Sequence, residues 1–419
     1  MVGLARSGVA AADMLARHGE VIGADLASPD LDDPQFEVHT HTDGVHLLDR
    51  VTTVVKSPGV PWSAPAIVVA QQRGLEVTGE LELAWRCLGD NPFVAVTGTN
   101  GKTTTVELLG AIWRMAGQAV EVVGNVGRPV AALVGVVDPA TTVVCEASSF
   151  QLEDTSAFAP DAALLLNIEE DHLDRHGTVE AYAAAKMRAF ARQGSNALAI
   201  APERYQLPGH AQRITFGSPG SDMAVVDDEL RWRDEPLMPV ADLSLRGAHN
   251  VENAMGAAAV ALARDIPRTA VVEALSTFPG VPHRLEEAAI RGGVVYVNDS
   301  KATNPASAVK GIEAFECGVH VILGGSVKGS DFEQLRAPLA ERGKAAYLIG
   351  PAAESLAVDL AGAVPLVEAS SLEDAVARAS RAARPGDVVL LSPACASFDA
   401  FEDYEHRGRR FKELVAGLG

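Results

Sequence analysis

Positive charge is scarce in this sequence. Lys and Arg together number 35 against 55 Asp and Glu, which gives a formal net charge of −20. Such an acidic surface disfavours nonspecific binding to nucleic acid or to an anionic membrane. Only 8 of the basic residues are lysines. Lys102, Lys186, Lys301 and Lys328 therefore stand out as candidates for ammonium chemistry, with an ordinary surface lysine as the alternative at each position.

Cysteine, aromatic residues and long apolar runs are rare as well. The four cysteines are widely spaced without a CxxC pair, and no signal peptide is evident, so we expect reduced, mostly packed thiols in a cytoplasmic protein. No apolar run approaches the roughly 18 residues that a membrane span needs, so we expect no membrane insertion. Aromatic residues make up 5% and apolar residues 47% of the chain, which is typical of an Ala/Val/Leu-rich α/β protein. A length of 419 residues predicts about three domains.

The clearest motif is a turn that resembles a phosphate loop. A short apolar run at 93–96 leads into Thr97-Gly-Thr-Asn-Gly-Lys-Thr-Thr104, and a helical pattern follows. Strand, glycine turn and helix N-terminus make a phosphate cradle, because backbone N–H groups and the helix dipole face the anion. Lys102 can reach terminal phosphates and the Thr103 hydroxyl can ligate Mg2+. Val96 stands where the generic pattern has a glycine, and a tight turn without a ligand is the alternative.

Polar groups follow two more strands predicted in this middle region. A strand at 141–145 ends in Glu146, and one at 161–167 ends just before Asp171 and His172. Ligands gather beyond the carboxyl ends of parallel strands, so these groups predict a nucleotide–magnesium site with Glu146 as its main protein ligand. His172 is a minority ligand for Mg2+, which prefers oxygen, and an exposed helix-start residue is the alternative.

Two further segments of the middle region carry candidate residues. Lys186 lies on a predicted helix at 179–192, where it could simply extend to solvent. Asn250 and Asn253 share a helix face and could contact an adenine or a ribose, although an N-cap is the common role of such an Asn.

The first residues resemble the glycine turn of a nucleotide-binding βα unit. Gly3 and Gly8 fit the pattern, but Ala5 replaces its middle glycine, and a second strand ends on Asp25, where an acid could meet a ribose or base. Only two residues precede Gly3, which is too few for a central strand, so we expect the native start to lie upstream.

Two boundaries divide the chain into three predicted α/β domains. A helical segment near 80–92 and a hinge at 280–284 predict domains at 1–82, 83–281 and 282–419. The last domain has strands at 293–298, 319–323, 345–349 and 387–391, each followed by a polar loop, and Pro305 is placed for a helix first turn. The fold expected is a Rossmann-like N-terminal domain, a central P-loop-ATPase-type domain and a Rossmann-like C-terminal domain.

Taken together, these motifs resemble those of the Mur ligases across all three domains. The resemblance rests on the 97–104 turn and on Glu146-Ala-Ser-Ser-Phe-Gln-Leu-Glu153, Glu170-Asp-His-Leu-Asp-Arg175, Gly247-Ala-His-Asn250, Pro282-His-Arg284, Asn298-Asp-Ser-Lys-Ala-Thr-Asn304 and Leu391-Ser-Pro-Ala-Cys-Ala-Ser397. The shortened phosphate loop is the version found in this family, which explains Val96. The motifs at 298–304 and 392–397 point to the branch that adds D-glutamate.

The resemblance implies an ATP-dependent amide ligase of peptidoglycan synthesis. It would join D-glutamate to UDP-N-acetylmuramoyl-L-alanine through an acyl phosphate, as a cytoplasmic monomer with Mg2+. Catalysis would fall to Lys102, Lys186, His283 and Arg284. ATP would contact Gly98, Thr99, Asn100, Gly101, Lys102, Thr103, Thr104, Asn250, Asn253, Arg284 and Asp299. The UDP substrate would contact Arg6, Ser7, Asp25, Gly59, Asn125 and Ser148. D-Glutamate would contact Thr303, Lys328, Ser397, Phe398 and Tyr404. One Mg2+ would be held by Thr103 and Glu146, and a second by His172 and a carbamylated Lys186.

Three alternatives stay open at this point. Another Mur-type amino acid ligase or a folylpolyglutamate-synthase-like ligase would share the phosphate loop. The latter would not need a UDP-binding first domain or the 298–304 motif. A nucleotide-binding module without enzymatic activity would not need Glu146, His172 and Lys186. An NAD-dependent dehydrogenase would need an intact G-x-G-x-x-G turn at the first strand, which is absent here.

Overall fold

The computed structural model describes residues 1–29, 31, 33–326 and 331–418, which form two compact units. One unit comprises 1–244 with 249–278, and the other comprises 245–248 with 279–419. Both are built from parallel strands alternating with helices. The α/β class expected from composition and motifs is therefore confirmed.

The first part of the chain forms a small parallel α/β layer. Its elements are α1 (Arg6–Ala16), β1 (Ile22–Ala24), β2 (Glu37–His39), β3 (Thr53–Lys56), α2 (Pro65–Gln72), β4 (Glu76–Gly79) and α3 (Glu80–Leu88). β1 pairs with β2 and β3 pairs with β4, both in parallel, and Val2 bridges Ala24 of β1 and Lys56 of β3. A Cβ on Gly8 would lie 1.9 Å from the Gly3 carbonyl oxygen, so only glycine lets α1 begin directly on this turn.

The middle part forms the largest sheet of the described structure. Its strands are β5 (Phe93–Thr97), β6 (Val120–Gly124), β7 (Thr142–Glu146), β8 (Ala162–Leu165), β9 (Leu198–Pro202), β10 (Gln212–Phe216), β11 (Met223–Val226), β12 (Glu229–Trp232) and β13 (Glu235–Pro239). Its helices are α4 (Lys102–Met115), α5 (Ser149–Leu152), α6 (Leu173–His176), α7 (Val179–Ala191), α8 (Ala248–Ala263) and α9 (Arg268–Thr277).

Strand order places the phosphate-loop turn at the centre of this sheet. The order is β13-β12-β11-β10-β9-β8-β5-β7-β6, parallel from β6 to β11 and antiparallel from β11 to β13. Every residue of β5 is buried, as expected for a strand covered on both faces. The chain fills β6 and β7 on one side of β5 and then β8 on the other, so β5 ends at a topological switch point, where ligands bind in such sheets.

The second unit forms a separate, mostly parallel sheet. Its strands are β14 (Glu286–Arg291), β15 (Val294–Asn298), β16 (Val319–Gly324), β17 (Gly343–Ile349), β18 (Leu366–Glu368) and β19 (Val388–Leu391), in the order β14-β15-β19-β16-β17-β18. Its helices are α10 (Pro305–Glu313), α11 (Arg336–Arg342), α12 (Ala353–Asp359), α13 (Leu372–Ala382) and α14 (Tyr404–Ala416). Pro305 opens α10 as predicted, and the Asn304 side chain caps it by accepting from Ser307 N (2.8 Å).

The structure differs from the sequence-based predictions in some short strands and in the burial of two cysteines. The short strands β2, β4, β14 and β18 were not predicted, because three to six residues at a sheet edge carry little pattern. Position 82, the first predicted boundary, falls inside α3, and the three-domain boundaries stay a prediction. Cys87 and Cys317 are exposed whereas Cys145 and Cys395 are buried, so the expectation of mostly packed thiols is only half right. Within the described part of the chain, no helix is long and apolar enough to cross a membrane.

A buried carboxyl at the start of α3 makes stability depend on pH. Glu80 is 1% exposed, and its Oε1 accepts from Ala131 N (2.8 Å). Burial raises the pKa of Glu80 to about 7, above its value in the unfolded chain. The folded state therefore holds a proton that the unfolded state has released, and stability is lost as pH rises from about 4.5 through 7.

We expect Glu80→Gln to remove this loss, because glutamine keeps the acceptor oxygen and does not titrate. Relative to wild type, the free energy of unfolding of the variant should improve by about 2 kcal/mol between pH 5 and pH 8. Urea unfolding at both pH values measures this change. Glu76→Gln, at an exposed residue in the same region, should track wild type, and a Glu80→Gln curve parallel to wild type would contradict the assignment.

Candidate active site

The phosphate-loop turn packs tightly against α8. Gly101 has a φ of 83°, in the left-handed region that favours glycine. A Cβ at this position would lie 2.1 Å from Asn253 Oδ1, so Asn253 rests directly on the turn. Asn253 Nδ2 also donates to Asn250 Oδ1 (3.1 Å). Asn250 is the third residue of α8 and not its cap, and the two predicted ATP contacts therefore lie together beside the loop.

Two lysines converge on one carbonyl of this turn. Lys102 Nζ donates to the carbonyl oxygens of Gly98 and Thr99, both at 2.8 Å. Lys186 Nζ, from α7, donates to the same Gly98 oxygen at 2.7 Å. Residues separated by 84 positions in sequence thus place two lysine Nζ atoms at one end of the phosphate cradle.

Lys186 is buried and loses its proton easily. Its side chain is 1% exposed, and Nζ lies 4.3 Å from the ring centroid of Tyr182. Burial, and then the positive charge of Lys102, lower the pKa of Lys186 to about 6. Near neutral pH this lysine is therefore mostly a neutral amine, which has a free lone pair for nucleophilic chemistry.

A hydroxyl and a carboxylate meet at the start of α4. Thr103 Oγ1 donates to Glu146 Oε2 (2.8 Å), and Asn125 Nδ2 donates to Glu146 Oε1 (3.1 Å). Glu146 is buried at the end of β7. Adjacent hydroxyl and carboxylate oxygens are ligands that Mg2+ accepts, so these residues fit the predicted metal position.

His172 and Lys186 both lie beside the ring of Tyr182. Its imidazole is about half exposed (48%), and its ring centroid is 6.1 Å from that of Tyr182, the ring beside Lys186. His172 has a φ of 51° and directly precedes α6. This placement is the one expected if His172 is an exposed helix-start residue and not a metal ligand. In the described ranges, no three or more His, Cys, Asp and Glu side chains are grouped so that they could hold a metal ion.

The predicted UDP-substrate residues in α1 and directly after β1 lie around the first glycine turn. Asp25 Oδ2 accepts from Leu4 N (2.6 Å) and its Oδ1 accepts from Ala27 N (2.8 Å). Asp25 therefore orders the turn, and this role does not require a ligand. Arg6 Nη1 donates to the Gly127 carbonyl (3.2 Å), in the loop after β6.

The first glycine turn adjoins the loop after β3, because Ser7 Oγ in α1 lies 3.5 Å from Ser57 Oγ. Two further predicted UDP-substrate residues, Gly59 and Ser148, follow later strands. A Cβ at Gly59 in that loop would meet nothing within 4 Å. Ser148 forms a capping box with Gln151 at the start of α5, and this local role competes with ligand contact.

In the second unit, His283 is held as a neutral imidazole. Asn298 Nδ2 donates to His283 Nδ1 (2.9 Å), and Asn298 Oδ1 accepts from Ser300 N (3.2 Å), which fixes the amide orientation. Nδ1 therefore accepts, and the ring proton lies on Nε2. Burial lowers the pKa of His283, which favours the same neutral form.

Asp299 is more enclosed than an ATP contact at the protein surface would be. Ser392 Oγ donates to its Oδ2 (2.7 Å) and Leu285 N donates to its Oδ1 (3.2 Å). Burial raises the pKa of Asp299 to about 7, and the charge of Arg284 opposes that rise. The ATP role of Asp299 stays a prediction.

The predicted D-glutamate residues are only partly described. Lys328 lies outside the described residues. Ser397 is buried, and Phe398 is 69% exposed. Tyr404 is the first residue of α14, and its ring centroid lies 5.8 Å from Lys301 Nζ. Thr303 follows in the same loop as Lys301, whose carbonyl accepts from Thr303 N (2.8 Å).

Comparison with known proteins identifies the family. Residues 96–261 match the Mur ligase middle domain, and residues 283–395 match the Mur ligase glutamate ligase domain. The UDP-N-acetylmuramoylalanine--D-glutamate ligase of Acidobacterium capsulatum is 44% identical, with 99% of this chain and 95% of the relative covered. The ligase of the same name from Koribacter versatilis is 43% identical, with 99% and 96% covered. The chain belongs to the Mur ligase family.

Solved structures agree with this Mur ligase fold. The UDP-N-acetylmuramate-alanine ligase of Thermotoga maritima has a TM-score of 0.61 and 18% identity, with 100% of this chain and 99% of that chain covered. A MurF ligase from the same organism, in complex with ADP, has a TM-score of 0.60 and 18% identity, with 96% and 91% covered. At such identities the similarity concerns the fold alone.

Two residues of this Mur ligase were missed by sequence reasoning. Asn167 Oδ1 accepts from Thr99 N (3.1 Å) and Asn100 N (2.9 Å), so it holds the phosphate loop. Its signal was its place at the end of a predicted strand. Arg407 is buried, donates through Nε to Ser300 Oγ (2.9 Å) and through Nη2 to Cys395 O (3.2 Å), and joins two predicted ligand loops. Its sequence context, within a charged helix, carried no such signal.

We expect Asn167→Ala to loosen the phosphate loop, because Asn100 N loses its acceptor and Thr99 N keeps only the backbone carbonyl of residue 167 (3.0 Å). The KM for ATP should rise about 10-fold, the cost of one or two lost hydrogen bonds. Steady-state kinetics with varied ATP measures the change. Asn91→Ala is the matched control, since the Asn91 amide donates to Asp138 and Thr141 carbonyls next to β5 but does not touch the loop. Equal KM changes in both variants would contradict the role of Asn167.

Proposed function

We infer that this Mur ligase joins D-glutamate to UDP-N-acetylmuramoyl-L-alanine in peptidoglycan precursor synthesis. The observation that carries the inference is the match, over nearly the whole of both chains, to ligases named for that reaction, at 44%, 43% and 41% identity. Such relatives share the entire chain, and so the similarity extends beyond the phosphate loop that many nucleotide enzymes possess.

The proposed reaction uses ATP as the phosphoryl donor. The L-alanine carboxylate attacks the γ-phosphorus and ADP leaves, which forms an acyl phosphate. The neutral D-glutamate amine then attacks the acyl carbon, loses a proton and expels phosphate, which leaves the amide. Each step brings anions together, so positive charge is needed to offset their repulsion. Lys102 supplies that charge at the phosphate loop.

Mg2+ fits the residues at the start of α4. Thr103 and Glu146 would hold one ion, and His172 with Lys186 would bind a second. When bound, Mg2+ would polarise phosphoryl oxygens and offset charge on the moving group. The Thr103–Glu146 contact of 2.8 Å supports the first site.

Lys186 is proposed to carry a carbamate. The neutral amine attacks the carbon of CO2 and releases one proton, which converts the amine into an anionic carbamate, an oxygen donor for Mg2+. Two features support this step. The pKa of about 6 leaves the amine largely unprotonated, and burial against Tyr182 would shield the carbamate from bulk water.

The remaining roles follow the family resemblance. The phosphate loop, Asn250 and Asn253 would bind ATP, while Arg6, Ser7, Asp25, Gly59, Asn125 and Ser148 would bind the UDP substrate. His283 Nε2–H and Arg284 would contact the reacting carboxylate and phosphates, and the loops at 303, 328, 397–398 and 404 would bind D-glutamate. The enzyme is proposed to act as a monomer in the cytoplasm.

Substrate-dependent phosphate release tests the reaction directly. With UDP-N-acetylmuramoyl-L-alanine and ATP, we expect phosphate release to require D-glutamate. L-Glutamate and a folate acceptor should give only background, because the ligase is proposed to be specific for the D-amino acid. Phosphate release with L-glutamate, with the folate acceptor, or with none of the tested substrates would contradict the proposal.

The carbamate is tested by removing its amine. Lys186→Ala should lower kcat about 100-fold or more, because even the outer-shell partner of a metal ligand is worth about 10- to 100-fold. Acetate or bicarbonate should restore part of the activity by supplying the missing oxygen donor. Lys310→Ala, at an exposed lysine, is the control and should behave as wild type. Full activity of Lys186→Ala, or no recovery with either anion, would refute the carbamate.

A further inference from the structure

Two cations hold the loop that follows β3. This loop, residues 57–60, is called the 57–60 turn and contains Gly59, a proposed UDP-substrate contact. The Val60 carbonyl accepts from Lys56 Nζ (2.9 Å) and from Arg175 Nη2 (3.1 Å). Arg175 Nη2 also donates to the Pro58 carbonyl (3.3 Å). The turn is therefore fixed through its backbone.

Lys56 is bound in turn by a carboxylate from the central sheet region. Its Nζ lies 2.6 Å from Asp154 Oδ2, and both side chains are 0% exposed. Asp154 follows α5, and a Cβ on Gly79 at the end of β4 would lie 2.5 Å from Asp154 Cβ. Only glycine at this point lets the carboxylate approach β3. A fully buried ion pair adds little net stability, because desolvation offsets its attraction, but it fixes geometry closely.

Arg175 connects the same turn to the segment that begins at His172. Arg175 is the third residue of α6, and its Nε donates to Glu153 Oε1 (3.0 Å). The last residue of α6 is held as well, since His176 Nε2 lies 3.0 Å from Ser149 Oγ. His172 immediately precedes this helix. The 57–60 turn and a proposed metal ligand are thus attached to opposite ends of one short, anchored helix.

We propose that Lys56, Asp154 and Arg175 are positioning residues that hold the 57–60 turn in the conformation that binds the UDP substrate. The proposal rests on the proposed function and deepens it. None of the three needs to touch the substrate. They act through the backbone of the turn, and α6 keeps a separate bond from His176 to Ser149. Their removal should therefore weaken binding of the UDP substrate and leave binding of ATP and D-glutamate nearly unchanged.

The first test separates the three substrates. Lys56→Met, Asp154→Asn and Arg175→Lys should each raise the KM for UDP-N-acetylmuramoyl-L-alanine about 10-fold, the cost of a lost charged hydrogen bond. The KM values for ATP and D-glutamate should stay within about 2-fold of wild type. Arg188→Lys is the matched control, because Arg188 donates to the carbonyls of Glu153 and Thr155 and has no bond to the turn.

The second test separates positioning from stability. In Lys56→Met/Asp154→Leu, apolar packing replaces the ion pair, and Tm should return towards wild type. The KM for the UDP substrate should stay raised, since methionine cannot donate to the Val60 carbonyl. Hydrogen exchange of peptides covering the 57–60 turn should be faster in this variant than in Arg188→Lys.

Several outcomes would overturn the proposal. These are a KM that recovers together with Tm in the double variant, equal increases for all three substrates, or exchange at the turn that matches the control. If the Lys56 and Asp154 variants fail to fold, the same KM comparison is made with Arg175→Lys alone. This variant keeps the positive charge at a slightly exposed position. Failure of the proposed function would look different, because wild type itself would then release no phosphate with D-glutamate.

Discussion

Two lysines that share one carbonyl oxygen are the constraint on which the rest of the site depends. Lys102 and Lys186 both donate to Gly98 O, at the point where the central strand β5 ends. Two full charges cannot be held there at low cost without anions, since Lys186 is buried. The pKa of Lys186 falls to about 6 as a result. One lysine remains a cation for phosphates, while the other becomes a reactive amine.

The acidic character of the chain makes this local arrangement necessary. With a net charge of −20, the protein cannot attract an anionic nucleotide and a carboxylate substrate through its overall field. The described site instead uses backbone N–H groups, a few cations and proposed metal ions. Neighbouring strands supply these groups because β7 and β8 flank β5, and their ends bring Glu146 and Asn167 to the same turn.

Local side-chain contacts also fix the position of α6. This four-residue helix is too short to be stable alone, so its position is set by what its side chains bind. Arg175 binds Glu153 and the Val60 carbonyl, and His176 binds Ser149. These bonds also fix where the chain enters the helix, at His172. The buried pair of Lys56 and Asp154 extends the same fixation to the loop after β3.

Local pattern in the sequence determined the α/β class, the central strands, the start of α10 and the phosphate loop, because apolar runs, glycines and prolines act over a few residues. The family resemblance supplied the candidate roles, which stay predictions. The structure places Lys102 and Lys186 on the Gly98 carbonyl and Thr103 on Glu146. Only tertiary structure could decide that Asn167 holds the phosphate loop or that Lys56 meets Asp154, 98 residues away. Such pairs depend on which strand ends pack side by side, and burial then sets their charge, which no local spacing encodes.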